Sequence, residues 1–304
     1  SNDMLKPLTD SAVCSAGDKI AMTTDSYVIK PLFFPGGDIG RLCVCGTVND
    51  LAVSGARPRY ISVGMIIEAG FDMETLVRIV GSIAATAKEA GVCVVTGDTK
   101  VVEGDGVDGI FINTAGIGVF SEDRPPLVQR IAAGDRIIIS GYMASHGMAI
   151  MAARGNMGFT PPIESDVAPL AALADRVLRS GCEVNAMRDP TRGGVAATLC
   201  EWVTEDTDVI IYNDSLPVRP DVAAACEILG MDPLYIANEG IMLLSVPGRY
   251  ADTVLSALRS ADDGKNAAII GEVRKGSGSV YAVTEYGTSR KILMPRGELL
   301  PRIC

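Results

Sequence analysis

Apolar and polar positions alternate along "DKIAMTTDSYVI" (Asp18–Ile29) before the run turns apolar, the period-two pattern of a strand. Next, "GGDIGRLCVCGTVNDLAVSGA" (Gly36–Ala56) opens on glycines and carries Ile39, Leu42, Cys43 and Leu51 at helical spacing. The β-branched run "RYISVGMIIE" (Arg59–Glu68) reads as a strand. Asp72–Gly91 predicts an amphipathic helix, with Asp72 placed to cap its start and Gly91 to end it. "VCVVTGD" and "GIFINTAGIGVF" read as two further strands.

A stretch richer in proline and charge, "SEDRPPLVQRIAAGD" (Ser121–Asp135), divides the chain. It predicts an N-terminal domain over 1–123 and a C-terminal domain over 134–292. The second unit starts at "RIIISG", with helices near His146–Arg154, Pro169–Ser180, Gly193–Thr204, Pro220–Leu229 and Arg249–Ser260. Its strands are "TDVIIY", "GIMLLSV", "NAAIIGEV" and "SVYAV". After Leu293 the pattern dissolves into "MPRGELLPRIC". Ten extended residues reach about 30 Å, so residues 293–304 are expected to form a mobile tail carrying Cys304. Helix and strand patterns interleave in both halves, which makes the fold class mixed α/β (α+β).

Composition narrows the function. The 304 residues hold 27 basic and 37 acidic side chains, a net charge of −10, which disfavours nucleic acid or an anionic membrane as partner. A polyanion such as ATP would need a divalent cation between the charges. No apolar run approaches the ~20 residues of a membrane span, and no signal-peptide pattern opens the chain. The eight cysteines include no CxxC pair, and His146 is the single histidine, so zinc is poorly supported. Cys43 and Cys45 would point to different sides of a helix or the same face of a strand, as small apolar packers. Reduced thiols fit a cytoplasmic protein.

Neither a GxxxxGK[ST] loop nor a strand-to-helix GxGxxG occurs. Aspartates recur at element ends instead: Asp25, Asp98 in "VTGDTK" and Asp189 in "RDPTRGG", with Asp50 inside "TVNDLAVSGA". Singly, each is more often a turn former or cap; together they offer enough oxygens to hold Mg²⁺ against phosphates. Asp50 stands apart, because a charge mid-helix between apolar neighbours is costly unless paired. "TDSYV" and "GDTKV" echo each other as Asp-Ser/Thr-x-Val at strand ends. Lys100 could neutralise phosphate charge or sit solvated at a strand edge. The two glycines of "DPTRGGVAATL" open an apolar helix whose amides could meet an anion. Glu239, in "YIANEGIMLL", suits either a cap or a general base. A cysteine at position 304, "PRIC", adds nothing to a core where chain ends fray.

These stretches, "TTDSYVIKPLFFPGGDIG", "CGTVNDLAVSGARPRY", "VTGDTKVV", "FINTAGIG", "RDPTRGGVAATL", "ANEG" and the closing "PRIC", resemble the HypE family of hydrogenase-maturation proteins. That family lies within the superfamily of aminoimidazole-ribonucleotide and selenophosphate synthetases. The resemblance runs in order from about Asp18 to Cys304. It implies a two-domain PurM-like fold whose N-terminal domain forms a β-barrel across a homodimer, with ATP between the domains. It implies that a carbamoyltransferase, HypF, loads Cys304 and that ATP-dependent dehydration turns the S-carboxamide into a thiocyanate. The cyano group would then pass to iron held by HypC and HypD. On this reading Cys304, Glu239 and Lys100 are catalytic, and Asp25, Asp50, Asp98 and Asp189 bind Mg²⁺. ATP would meet Asp25, Asp50, Asp98, Asn113, Thr191, Arg192 and Gly193, while Arg302 would steady the terminal thiolate.

Two departures are visible. The family's glycine-rich run ahead of the first strand has no counterpart in "SNDMLKPLTDSAVCSAGDK", which implies truncation or disorder there. "ASHG" (Ala144–Gly147) replaces a GDHG pattern, so His146 is expected to be structural. Two other functions remain: a superfamily synthetase acting on a small diffusible substrate, which needs no Cys304, and a non-catalytic dimeric scaffold.

Overall fold

The computed structural model describes residues 19–104, 106–120, 130–295, 297 and 303–304. The glycine-rich departure, the centre of the domain boundary and Arg302 lie outside the described residues. Strand β1 (Ile20–Tyr27) leads through two short strands, β2 (Phe33–Phe34) and β3 (Gly37–Asp38), into helix α1 (Ile39–Val53). Then come β4 (Arg57–Glu68), α2 (Met73–Glu89), β5 (Cys93–Val102) and β6 (Ile110–Val119).

These strands form a four-stranded sheet in the order β1-β6-β4-β5. Only β4 and β5 run parallel, because α2 carries the chain back across the sheet. Asp38 starts α1 by accepting hydrogen bonds from the Gly40 and Arg41 amides at 2.7 and 3.0 Å. Asp72 caps α2 by accepting from the Thr75 amide. Helix α1 packs on β1, β6 and α2 and also meets the segments Ala171–Leu178 and Ala186–Arg188 of the second unit. It is therefore buried nearly all round, and Cys43 and Cys45 are core packers within it. The opposite face of the sheet is open, with Ile20, Met22 and Ile66 exposed.

The second unit contains β7 (Asp135–Ile139), α3 (Ser145–Gly155), α4 (Ala171–Leu178), β8 (Ala186–Arg188), α5 (Gly194–Trp202) and β9 (Thr207–Tyr212). It continues with α6 (Pro220–Leu229), β10 (Leu243–Pro247), α7 (Ala251–Arg259), β11 (Ala268–Lys275), β12 (Val280–Val283) and β13 (Ser289–Ile292). A seven-stranded sheet runs β13-β12-β9-β11-β7-β10-β8. Ile137 and Ile139 pack on one face with Val195, Leu199 and Trp202 of α5. Ile138 packs on the other, with Leu173 and Val177 of α4 and Val254 and Leu258 of α7. A strand covered on both faces reads as an unbroken apolar run, which is why "RIIIS" shows no alternation.

The fold is mixed α/β, as the pattern predicts. Strands β8 and β13 were not predicted: the first has three residues, and "SRKI" is a mostly polar edge with one buried side chain. Among the described residues the first sheet is open, with no closed barrel. No helix among them is long and apolar enough to cross a membrane.

Candidate active site

A cavity of about 220 Å³ lies where the two units meet. Strand β1 contributes Thr24 and Asp25, and α1 contributes Gly46 and Asp50. The turn between β8 and α5 supplies Asp189, Thr191 and Arg192, and the loop before β10 supplies Glu239. Cys304 completes the wall. Thr24 and Asp25 point to opposite faces of an edge strand, so the cavity wraps round that edge. Gly46 and Asp50 are four apart on one face of α1. A Cβ at Gly46 would overlap the Tyr27 hydroxyl, so the helix approaches β1 closely only with glycine there.

Asn49 joins the two units. Its buried amide donates to the Ala168 and Glu239 carbonyls, both at 3.1 Å, and accepts from the Leu170 amide at 2.7 Å. Beside it, Asp50 accepts from the Thr23 hydroxyl at 2.7 Å.

The carboxyls are crowded. Burial pushes Asp50 above its ordinary range, and the charge of Asp25 adds to this. Asp189, 8% exposed, is pushed up to about 7 by burial and then by Asp50. Glu239, 3% exposed, is held well above the usual carboxylate range by burial, with Asp189, Asp166 and Asp25 adding to it and Arg192 opposing. Like charges around one small space favour a cation there. The carboxylate oxygens of Asp25, Asp50, Asp189 and Glu239 on the wall suit a hard divalent ion. Among the described residues no three His, Cys, Asp or Glu side chains converge as a ligand set. Few protein ligands with phosphate and water completing the shell is the usual habit of Mg²⁺.

Cys304 is docked here. The Arg192 Nε–H donates to its Sγ at 3.1 Å, and the Val28 amide donates to its carbonyl oxygen at 3.2 Å. Burial, with the nearby Glu239, pushes the thiol up to about 12, so the docked sulfur stays protonated.

The sequence-predicted site residues divide between two places. Asp25, Asp50, Asp189, Thr191, Arg192, Glu239 and Cys304 share the cavity. Asp98, Lys100 and Asn113 lie instead in a depression of about 450 Å³ on the open face of the first sheet, with Ser26 and Ile66. Strand register explains the split. Ser26, Asn113, Gly64 and Asp98 form one row across β1, β6, β4 and β5. Asp98 thus takes the face of Ser26, opposite that of Asp25. The echoed Asp-Ser/Thr-x-Val segments therefore aim their aspartates at opposite faces, and Lys100 does not stand beside Cys304. Asn113 links the two places, its amide donating to the Asp25 carbonyl at 2.9 Å and the Ser26 hydroxyl at 3.0 Å. Gly193 lies outside the wall. Its positive φ of 77° starts α5, where a side chain would strike Ala197 and Pro295.

Sequence reasoning missed Thr24, Gly46 and Asn49. A glycine within an apolar helix signals close approach, and the adjacent Asn49-Asp50 pair signals buried polarity, so two of the three carried a readable mark. It also missed that His146 would bond to the tail.

Two paired α/β domains around a carboxylate-lined cleft define the class. The N-terminal domain model of AIR synthase related proteins matches residues 8–120, and the C-terminal domain model matches residues 132–283. Carbamoyl dehydratase HypE of Rhodobacter capsulatus is 46% identical over 299 residues, 98% of this chain and 88% of that protein. The crystal structure of hydrogenase maturation protein HypE in complex with ATP aligns at a TM-score of 0.94 and 42% identity, covering 100% of this chain and 92% of that one. A chain in the crystal structure of a HypE–HypF complex aligns at a TM-score of 0.87 and 47% identity, covering 97% of this chain and 96% of that one. The chain belongs to the HypE family.

Proposed function

We propose that this protein uses ATP to dehydrate a carboxamide carried on the sulfur of Cys304, leaving a thiocyanate that supplies the cyanide ligand of [NiFe]-hydrogenase iron. The observation that carries this reading is the Cys304 Sγ within the interdomain cavity, 3.1 Å from Arg192 Nε and facing Glu239. A thiol occupying the cleft argues against a diffusible substrate there, and the cluster of charged side chains argues against a bare scaffold.

An amide oxygen is a poor leaving group. Phosphorylation corrects this: the carboxamide oxygen attacks the γ-phosphorus, ADP departs, and the nitrogen loses one proton. The C–O bond then breaks with phosphate leaving, and the second N–H proton goes to Glu239 as C≡N forms. A general base here contributes roughly 10²–10⁴ in rate; Glu239 does so in its ionised form, which burial opposes and Arg192 favours. Arg192 holds the sulfur and orients the group it bears. One or two of Asp25, Asp50 and Asp189 would hold Mg²⁺, with phosphate oxygens and water completing its shell, and the ion would screen the phosphates. The nucleotide would cross the β1 edge, bringing Asn113, Asp98 and Lys100 to its far side, with Thr191 on the near side.

The open sheet face, with its exposed Ile20, Met22 and Ile66, suits a second copy, giving the homodimer and its shared barrel. HypF would load Cys304 outside the cleft, because the docked thiol is too weakly ionised to attack. A HypC–HypD pair would take the cyano group in the cytoplasm. The test is the mass of the Cys304 peptide after incubation with HypF, carbamoyl phosphate and ATP. Carbamoylation followed by ATP-dependent loss of one water supports the reading; ATP turnover with an unmodified Cys304 refutes it.

A further inference from the structure

We propose that His146 is a positioning residue that docks the end of the chain bearing Cys304, acting as a fixed-tautomer donor to the backbone of Ile303. The inference rests on Cys304 being the carrier. His146 sits in the first turn of α3 with no surface exposed. Its Nε2 lies 2.8 Å from the Ile303 carbonyl oxygen, which can only accept, so Nε2 carries the hydrogen. Burial pushes the ring down to about 4, and it is neutral at working pH, which leaves Nδ1 as an acceptor.

That acceptor is used. The Ser165 hydroxyl lies 2.8 Å from Nδ1 and must donate to it, while its oxygen accepts from the Val167 amide at 3.1 Å. A one-way chain of hydrogen bonds therefore runs from Val167 through Ser165 and His146 to Ile303. Phe34 packs edge-on against the imidazole, with ring centroids 5.6 Å apart. The next residue, Asp166, accepts from the Glu239 and Gly240 amides at 3.0 and 2.8 Å. One two-residue stretch thus sets both the dock and the proposed base. The Ile303 side chain, 4% exposed, packs into the core with Ile150 and Ala237. Removing the His146 donor leaves the Ile303 carbonyl without this hydrogen bond whenever the tail is docked, so the undocked form gains.

The experiment measures iodoacetamide alkylation of Cys304 in the full chain, read by mass spectrometry of the Cys304 peptide, together with ATP affinity. His146→Phe is expected to raise the alkylation rate about tenfold, the effect of one hydrogen bond to a buried carbonyl. His146→Gln, whose amide can donate in place of Nε2, should restore a slow rate. Ser165→Ala, which frees the tautomer, should fall between. ATP affinity should hold in all three. A wild-type rate in His146→Phe, or equal rates in His146→Phe and His146→Gln, overturns the proposal. Should His146→Phe not fold, a wild-type rate in Ser165→Ala does so. Alkylation requires no turnover, so a failure of the dehydratase reading shows up separately.

Discussion

Replacing Glu239 with Gln separates the chemistry of this carboxyl from its packing. Its burial and its three acidic neighbours make the charged form costly, so the native state holds the proton to higher pH than the unfolded chain does. The sign follows from linkage. Above the ordinary carboxylate value of 4.5 the unfolded chain releases its proton while the native protein keeps it, so stability falls as pH rises across that window. Each pH unit costs the wild type about 1.4 kcal/mol relative to the isosteric amide. On a chain of this size that is roughly 2 °C in Tm per pH unit. Thermal unfolding without nucleotide or metal should show Glu239→Gln gaining on the wild type as pH rises above 4.5, until the native carboxyl itself ionises. Water loss from the loaded Cys304 should fall by roughly 10²–10⁴ in the same variant. Parallel Tm profiles would show that Glu239 is ionised in the resting cleft, and an undiminished rate would remove it as the base.

Other consequences are equally direct. Asp50→Asn should leave the fold intact and weaken Mg²⁺-dependent ATP binding by about tenfold or more, read by calorimetry; the affinity without Mg²⁺ should barely change. Asn49→Ala removes one hydrogen bond from each of three backbone groups, the Ala168 and Glu239 carbonyls and the Leu170 amide, and should cost about 3 kcal/mol in denaturant unfolding; a loss below about 1 kcal/mol would show that the two units do not depend on it. Because docking raises the Cys304 thiol from its ordinary 9.0 to about 12, the undocked thiol ionises first. Docking should therefore weaken as pH climbs above 9, and the alkylation rate of Cys304 should keep rising beyond the pH at which a free thiol levels off. A plateau near 9 would mean that the sulfur is not held in the cleft.

The fold was legible wherever burial is periodic. The α2 pattern from Asp72 to Gly91 carries both its cap and its stop, and "TDVIIY" coincides with β9. The short β8 and polar β13 carry too little pattern to be read. The site was half legible. Aspartates at element ends mark a cation site by chemistry alone, but the face each one takes depends on strand register. Register placed Asp98 with Ser26 and Asn113, away from Asp25. His146 illustrates the other limit: its partners, Ser165 and Ile303, are 19 and 157 residues away, a distance no local pattern spans.

On the proposed reaction, the cleft activates a carboxamide oxygen for departure while Cys304 carries the group. The most direct measurement loads Cys304 with a carbamoyl group bearing heavy oxygen, adds ATP and Mg²⁺, and follows the label. The heavy oxygen should appear in inorganic phosphate, in step with formation of the thiocyanate on Cys304. Heavy oxygen released into water, with unlabelled phosphate, would contradict it.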